Sequence, residues 1–234
     1  MRRSKHTLKR EFKKPKHFVQ NEEVELVETP SLRQSFTAKN KEQKQAVRSI
    51  VENQVSFILG RAGCGKTILA AGILSEWLVK GKLDKIIISR PLEFTGRNLG
   101  ALPGDIEEKT YCWFIHIKEY LIRFLGKATY DKFKMEGKIV YQPLEIIRGL
   151  NLERSALLIE ECQNISWEQC KVALTRIGDD ESRVILTGDP EQADIRDPCI
   201  EKLVDKLEPL EEVGLTYLEE NFRHPIVEKI ARIL

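Results

Sequence analysis

GRAGCGKT, Gly60–Thr67, follows the apolar run VSFILG (Val55–Gly60) and leads into KTILAAGILSEWLVKG (Lys66–Gly81). The first flank reads as a short buried strand. The second reads as a helix, apolar nearly all round, that stops at Gly81. Between them the octapeptide fits G-x-x-x-x-G-K-[ST] in the strand–loop–helix context that this motif requires. Glycines let a loop curl so that successive backbone N–H groups point inward, as donors to phosphate oxygens. The helix adds its positive dipole end to the same anion. Gly60, Arg61, Ala62, Gly63, Cys64, Gly65, Lys66 and Thr67 therefore form a candidate phosphate cradle. Lys66 is placed to reach the β- and γ-phosphates, and Thr67 to offer a hydroxyl to Mg²⁺. A glycine-rich turn without function is the competing reading, but it requires neither the strand nor the helix.

Working outward, TAKNKEQKQAVRSIV (37–51) carries apolar residues at helical spacing. KIIIS (85–89), KIVYQP (138–143), ALLIE (156–160) and RVILTGD (183–189) read as strands, and LTYLE (215–219) as a last one. TYCWFIHIKEYLIRFL (110–125) reads as a helix after a long irregular stretch. SWEQCKVALTRIG is a further helix, with Ser166 as N-cap and Gly178 as its stop, and PIVEKIARIL one that starts at Pro225. Continuous apolar strands alternating with helices imply a parallel sheet covered on both faces, with its ligand beyond the carboxyl ends of the strands.

The run SALLIEECQN (Ser155–Asn164) ends on two adjacent carboxylates. On an ordinary strand, Glu160 and Glu161 would face opposite sides. Beside a phosphate cradle they suit two tasks: Glu160 holds Mg²⁺ through its waters, and Glu161 activates the attacking water. A kinase of small molecules has no need of the second acid, so the pair favours hydrolysis. TGDPEQ places Asp189 and Gln192 just past the next strand, and the Gln192 amide can sense a γ-phosphate. Gln43, ahead of the cradle strand, can read an adenine edge with donor and acceptor together.

The chain has 234 residues, 32% of them charged and 41% hydrophobic, which suits a globular protein with a sizeable core. No apolar run approaches the roughly 20 residues that span a bilayer, and no signal-peptide pattern opens the chain. Five scattered cysteines form no C-x-x-C pair, so neither a disulfide framework nor a zinc site is expected. Net charge is +2, but residues 1–20 carry eight Lys/Arg against Glu11 alone, leaving −5 elsewhere. Residues 1–35 are thus expected to be a flexible arm, basic at first and then acidic at NEEVELVE, which either binds polyanions or is a merely solvated leader. A second nucleic-acid candidate is the stripe Phe114, Ile117, Tyr120, Leu121 and Phe124, flanked by Lys118 and Arg123. At helical spacing such a stripe is more often core or subunit interface.

EQKQAV, GRAGCGKT, IEECQN and TGDPEQ, in this order, resemble the first motor domain of superfamily one helicases. SRPLEFTGRNLGALPGDIEEK, IIRGLNL, LTRIG and NFRHPIV extend the likeness, over residues 36–234, to the PhoH family of cytoplasmic ATPases of bacteria and their phages. The resemblance implies an α/β fold, a single RecA-like P-loop NTPase domain with a mainly parallel sheet sandwiched by helices. It implies ATP and Mg²⁺ as cofactors, hydrolysis as the reaction, and single-stranded RNA or DNA as partner, with unwinding as a further activity. A slowly hydrolysing nucleotide switch is the alternative. By motif, Gln43 reads adenine, Lys66 and Thr67 bind phosphate and Mg²⁺, Glu160 is the metal-associated acid, Glu161 the catalytic one and Gln192 the sensor. The family usually has Asp where this chain has Glu160, which moves the carboxylate outward by about 1.5 Å. One motor domain lacks the arginines that a second would donate, so a homo-oligomeric ring is expected, with an arginine supplied in trans. Arg223 leads the candidates, with Arg176 next and Arg90 and Arg148 behind. The implied location is the cytoplasm of a bacterium, or of its host if a phage encodes the protein.

Overall fold

A computed structural model describes residues 30–91, 111–195, 197–222 and 226. Helix α1 (Lys41–Glu52) starts at Asn40, whose side chain accepts the Gln43 N–H at 2.8 Å. β1 (Val55–Gly60), the cradle and α2 (Lys66–Val79) follow, then β2 (Lys85–Arg90). A 3₁₀ turn at Tyr111–Phe114 opens α3 (Ile115–Leu125), which Gly126 separates from α4 (Lys127–Met135). β3 (Ile139–Pro143), β4 (Ser155–Ile159), α5 (Trp167–Leu174), β5 (Arg183–Gly188), α6 (Ile200–Leu207) and β6 (Val213–Leu218) complete the described elements.

The six strands form one sheet in the order β3-β2-β4-β5-β1-β6, and every recorded pairing is parallel. Alternation sorts their apolar side chains to two faces. Ile58, Ile86, Ile88, Ala156, Leu158 and Ile185 pack under α1 to α4. Phe57, Leu59, Ile87, Leu157, Ile159, Val184 and Leu186 pack under α5 and α6. Each large apolar side chain buried in this way contributes about 1.5–3 kcal/mol. Two covered faces explain why the strands read as unbroken apolar runs.

Periodicity located the six strands and four of the helices, but gave no element to α4 or α6. The helix begun by the Ser166 capping box ends at Leu174, short of Gly178, because Leu152 and Ile177 form an isolated bridge that draws the chain back to the sheet. The aromatic stripe is core: Phe114, Ile117, Leu121 and Phe124 are buried, and Tyr120 is half-buried. The basic residues of 1–20, most of the irregular stretch after β2, Arg223 and, apart from Ile226, the expected last helix lie outside the described residues. No described helix is long and apolar enough to cross a membrane.

A strap over 30–39 crosses from α3 to α1. The backbone N–H groups of Arg33 and Gln34 both donate to the Phe124 carbonyl, and Leu32 and Phe36 pack against the core. The strap walls one side of a cleft above the carboxyl ends of the strands.

Candidate functional site

The cleft has a volume of about 810 Å³. Its floor is the loop after β1. Gly60, Gly63 and Gly65 all have positive φ, so the loop curls over the start of α2. Ala62, Gly63, Gly65, Lys66 and Thr67 line the cleft. Gly60, Arg61 and Cys64 belong to the loop but not to that lining. The Arg61 side chain is exposed and pairs with Glu191 at 3.2 Å. Cys64 is buried, and burial raises its thiol pKa. Lys66 Nζ donates to the carbonyls of Gly60 and Arg61, at 2.5 and 3.0 Å, and so lies along the loop.

Gln43 is buried against the loop. Its Oε1 accepts the Lys39 N–H at 2.9 Å and its Nε2 donates to the Cys64 carbonyl at 3.1 Å. One N–H and one lone pair of the amide remain beyond these bonds. Phe222, four residues after β6, donates its backbone N–H to the Gly63 carbonyl at 3.1 Å, and Lys39 Nζ sits 4.8 Å over its ring. The loop is therefore held from both the α1 side and the β6 side.

Glu160 and Glu161 leave β4 next to this loop, and both line the cleft. Extended backbone would have sent them to opposite sides. Glu161 instead adopts the left-handed conformation, φ 52° and ψ 45°, which breaks the alternation. For a glutamate this conformation costs roughly 1–2 kcal/mol, and strain of this kind clusters at functional sites. Glu160 is buried, its backbone N–H donates to the Ser89 carbonyl, and its carboxylate accepts a hydrogen bond from Thr67. Burial pushes its pKa up to about 7, against the lowering effect of the Thr67 bond; Glu161 adds to the rise, while Arg90 and Lys66 oppose it.

Beyond β5, Asp189 is buried and ties the site together. Its Oδ2 accepts the Ala62 N–H at 3.1 Å and its Oδ1 the Glu191 N–H at 3.2 Å. Gln192 is exposed at the cleft edge. Gln163, which sits in the quoted run Ser155–Asn164 but was given no role there, is buried and bonds to both sides. Its Nε2 donates to Glu161 Oε2 at 2.8 Å and its Oε1 accepts the Asp189 N–H at 3.0 Å. The motif IEECQN placed Gln163 beside the two acids, but its contact with Asp189 joins β4 to β5 and is not written locally.

A far wall of the cleft was missed as a group: Arg90 at the end of β2, and Trp113, His116, Tyr120 and Arg123 at α3. Among the arginines weighed for catalysis, Arg90 is therefore in the cleft of its own chain. Arg176 is committed elsewhere, donating to the carbonyls of Val172 and Arg148 and to the Thr175 hydroxyl. Arg148 is exposed and outside the cleft lining.

The donor set fits Mg²⁺. Thr67 and Glu160 present hydroxyl and carboxylate oxygens in hydrogen-bonding contact, the hard ligands that this ion prefers. Among the described residues no three His, Cys, Asp or Glu side chains form a metal cage. The ion would share its shell with phosphate and water, as Mg²⁺ usually does.

Comparison with known proteins agrees with this geometry. Residues 35–234 match the family model described as PhoH-like protein. A PhoH-like protein of Synechocystis is 33% identical over 198 residues, covering 82% of this chain and 60% of its own length. Protein PhoH of Escherichia coli K12 is 35% identical over 178 residues, 75% of this chain and 50% of its own. A PhoH-like protein of Bacillus subtilis is 33% identical over 201 residues, 84% and 63% respectively. The chain thus spans about half to two thirds of these relatives. Among solved structures, the large terminase of bacteriophage HK97 superposes with a TM-score of 0.52 at 13% identity, over 83% of this chain and 42% of the terminase. The large terminase of a thermophilic bacteriophage gives 0.51 at 12%, over 84% and 50%. These two likenesses concern the RecA-like P-loop fold alone. By sequence, the chain belongs to the PhoH-like protein family.

Proposed function

We propose that this protein binds ATP with Mg²⁺ and hydrolyses it, and that hydrolysis is coupled to single-stranded RNA. The observation that carries the reading is convergence: the phosphate loop, Thr67 with Glu160, Glu161, Asp189 and Gln192 all meet at one cleft, above the carboxyl ends of the strands. In the proposed reaction the loop N–H groups and Lys66 bind the phosphates, and Gln43 uses its remaining amide capacity on adenine. Thr67 and, through water, Glu160 would hold Mg²⁺, which would supply charge neutralisation at the phosphates. Glu161 accepts the proton of the attacking water, and Gln192 at the rim contacts the γ-phosphate.

The RNA side of the reading is supported by the far wall. Arg90, Trp113, His116, Tyr120 and Arg123 offer cationic and aromatic groups to the cleft, and none of these side chains makes a hydrogen bond or ion pair among the described residues. Uncommitted donors beside aromatic faces are the chemistry that holds a single strand, phosphate to cation and base to ring. The homo-oligomer with a trans-acting arginine stays part of the proposal, with Arg223 as its candidate. Sedimentation that gives only monomer with and without nucleotide overturns that part.

One observation favours a second reading, a nucleotide-dependent switch with slow turnover. Glu160 is longer than the family's usual aspartate, and burial keeps it half-protonated near neutrality when no cation is present. The deciding experiment is steady-state ATP hydrolysis with Mg²⁺, with and without single-stranded RNA, for the parent and Glu161→Gln. Turnover that rises with RNA and falls about 10²–10⁴-fold in the variant supports the RNA-linked ATPase. Tight nucleotide binding with negligible turnover in both supports the switch.

A further inference from the structure

We propose that Gln163 is a positioning residue: its carboxamide aims the Glu161 carboxylate at the cleft and couples that aim to the turn carrying Gln192. The inference rests on the hydrolytic reading above and adds to it the group that makes Glu161 effective.

Glu161 is the side chain in this site with the most to be corrected. It leaves the strand in a left-handed conformation and is only half-buried, so neither its backbone nor its packing fixes where the carboxylate points. Among the described residues, the one side-chain donor to it is Gln163 Nε2, at 2.8 Å. Gln163 in turn cannot swing. It is 2% exposed, its Oε1 accepts the Asp189 N–H at 3.0 Å, and its Nε2 lies 3.4 Å from the Gln192 carbonyl. Gly188 makes this approach possible: a Cβ there would stand 2.5 Å from Gln163 Oε1. The carboxamide is therefore clamped at one end by the β5 turn and presents its N–H₂ to Glu161 at the other.

The same turn reaches the phosphate loop, since Asp189 Oδ2 accepts the Ala62 N–H at 3.1 Å. A continuous series of bonds runs from Ala62 through Asp189 and Gln163 to Glu161. Movement of the loop on engaging phosphate is thereby felt at the group that activates water. The alternative is that Gln163 merely fastens two turns together. That task already has an occupant: Asn164 bonds Asp194 twice, accepting its backbone N–H at 2.7 Å and donating to Oδ2 at 3.4 Å. Gln163 is left with orientation.

Two variants separate the roles. Gln163→Met keeps the length and loses both bonds. Gln163→Glu keeps the acceptor for the Asp189 N–H but sets a carboxylate against Glu161. Full-length protein is assayed for kcat and KM with ATP and Mg²⁺, and for Kd with a non-hydrolysable ATP analogue, which also reports folding. The expected result is Kd within about threefold of parent for both variants, with kcat down about 10–100-fold in each, the scale of a misplaced reacting group. Gln163→Glu is expected to be at least as impaired as Gln163→Met. Parental kcat in Gln163→Glu overturns the proposal, because anchoring the turn would then suffice. Losses of Kd as large as those of kcat also overturn it, by assigning Gln163 to the phosphate loop. If Gln163→Met fails to bind the analogue, Gln163→Glu decides alone. Absence of turnover in the parent is a different result, and defeats the hydrolytic reading itself.

Discussion

Thr67, in the first turn of α2, hydrogen-bonds Glu160 at the end of β4, so the two candidate metal ligands are in contact in the protein itself. Glu160 is an acid whose folded pKa of about 7 stands above its ordinary 4.5. The folded state then holds a proton that the unfolded state releases between those values. Its contribution to stability is complete below pH 4.5 and is lost as pH rises through 7. Glu160→Gln is therefore expected to stabilise the metal-free protein at pH 8 by roughly 1–3 kcal/mol and to change little at about pH 5. Urea denaturation at the two values checks this, and equal effects at both would refute the assignment.

The same carboxylate must lose its proton to serve Mg²⁺. Binding of an ATP analogue in Mg²⁺ is expected to weaken below about pH 7, approaching tenfold per unit, while Glu160→Gln shows a flat profile and little response to Mg²⁺. Isothermal titration in two buffers of different ionisation heat reads the proton released.

Glu161 carries backbone strain for its position. Glycine adopts the left-handed region without that cost but loses conformational entropy of about 0.5–1 kcal/mol on folding. Glu161→Gly is expected to be up to about 1 kcal/mol more stable than Glu161→Ala, which loses the same Gln163 bond but keeps the Cβ, and both are expected to be devoid of turnover. Paired denaturation and ATPase measurements test this; Glu161→Gly less stable than Glu161→Ala would show that the turn is not strained.

Gly60 is required by close approach. A Cβ there would lie 2.1 Å from the Leu218 carbonyl oxygen, and its φ of 142° is one that side chains rarely adopt. Gly60→Ala is expected to cost about 3 kcal/mol or more, by pushing β1 from β6. Nucleotide affinity should fall with the Tm, because Phe222, just past β6, bonds the loop at Gly63.

Under the proposed RNA-linked reading, two places would compete for the strand, the basic arm and the far wall. Deletion of residues 1–20 removes seven net positive charges and should flatten the salt dependence of RNA affinity by several units of slope. Arg123→Ala should lower the slope by about one, and Tyr120→Ala should cost about 1–3 kcal/mol of affinity with little change in slope. Fluorescence titrations over a range of salt distinguish them. An unchanged slope after the deletion assigns the strand to the wall.

Much of this protein was written in short-range signals. The octapeptide at Gly60–Thr67, the apolar runs with their alternation and the Asn40 and Ser166 caps depend on residues a few positions apart, so strands, most helices and the phosphate cradle could be read directly. α4 is short, nine residues, and shows only a weak apolar face at Tyr130 and Phe133, whereas α6, at eight residues, does carry helical spacing in Ile200, Leu203 and Val204, so its pattern was legible although brief. Adjacent glutamates at the end of a strand suggested a chemistry but not the geometry. By alternation Glu160 and Glu161 diverge, and the left-handed turn that reunites them is secured from far along the chain. Gln163 meets Asp189 across 26 residues, and Asp189 meets Ala62 across 127. The aromatic stripe of α3 shows the same division, since periodicity marked it as one face and only packing decided that this face is core while Tyr120 and Arg123 line the cleft. Local sequence determines which conformations and chemical groups are available; the tertiary structure decides where they point, because burial and strain are set by contacts between distant segments.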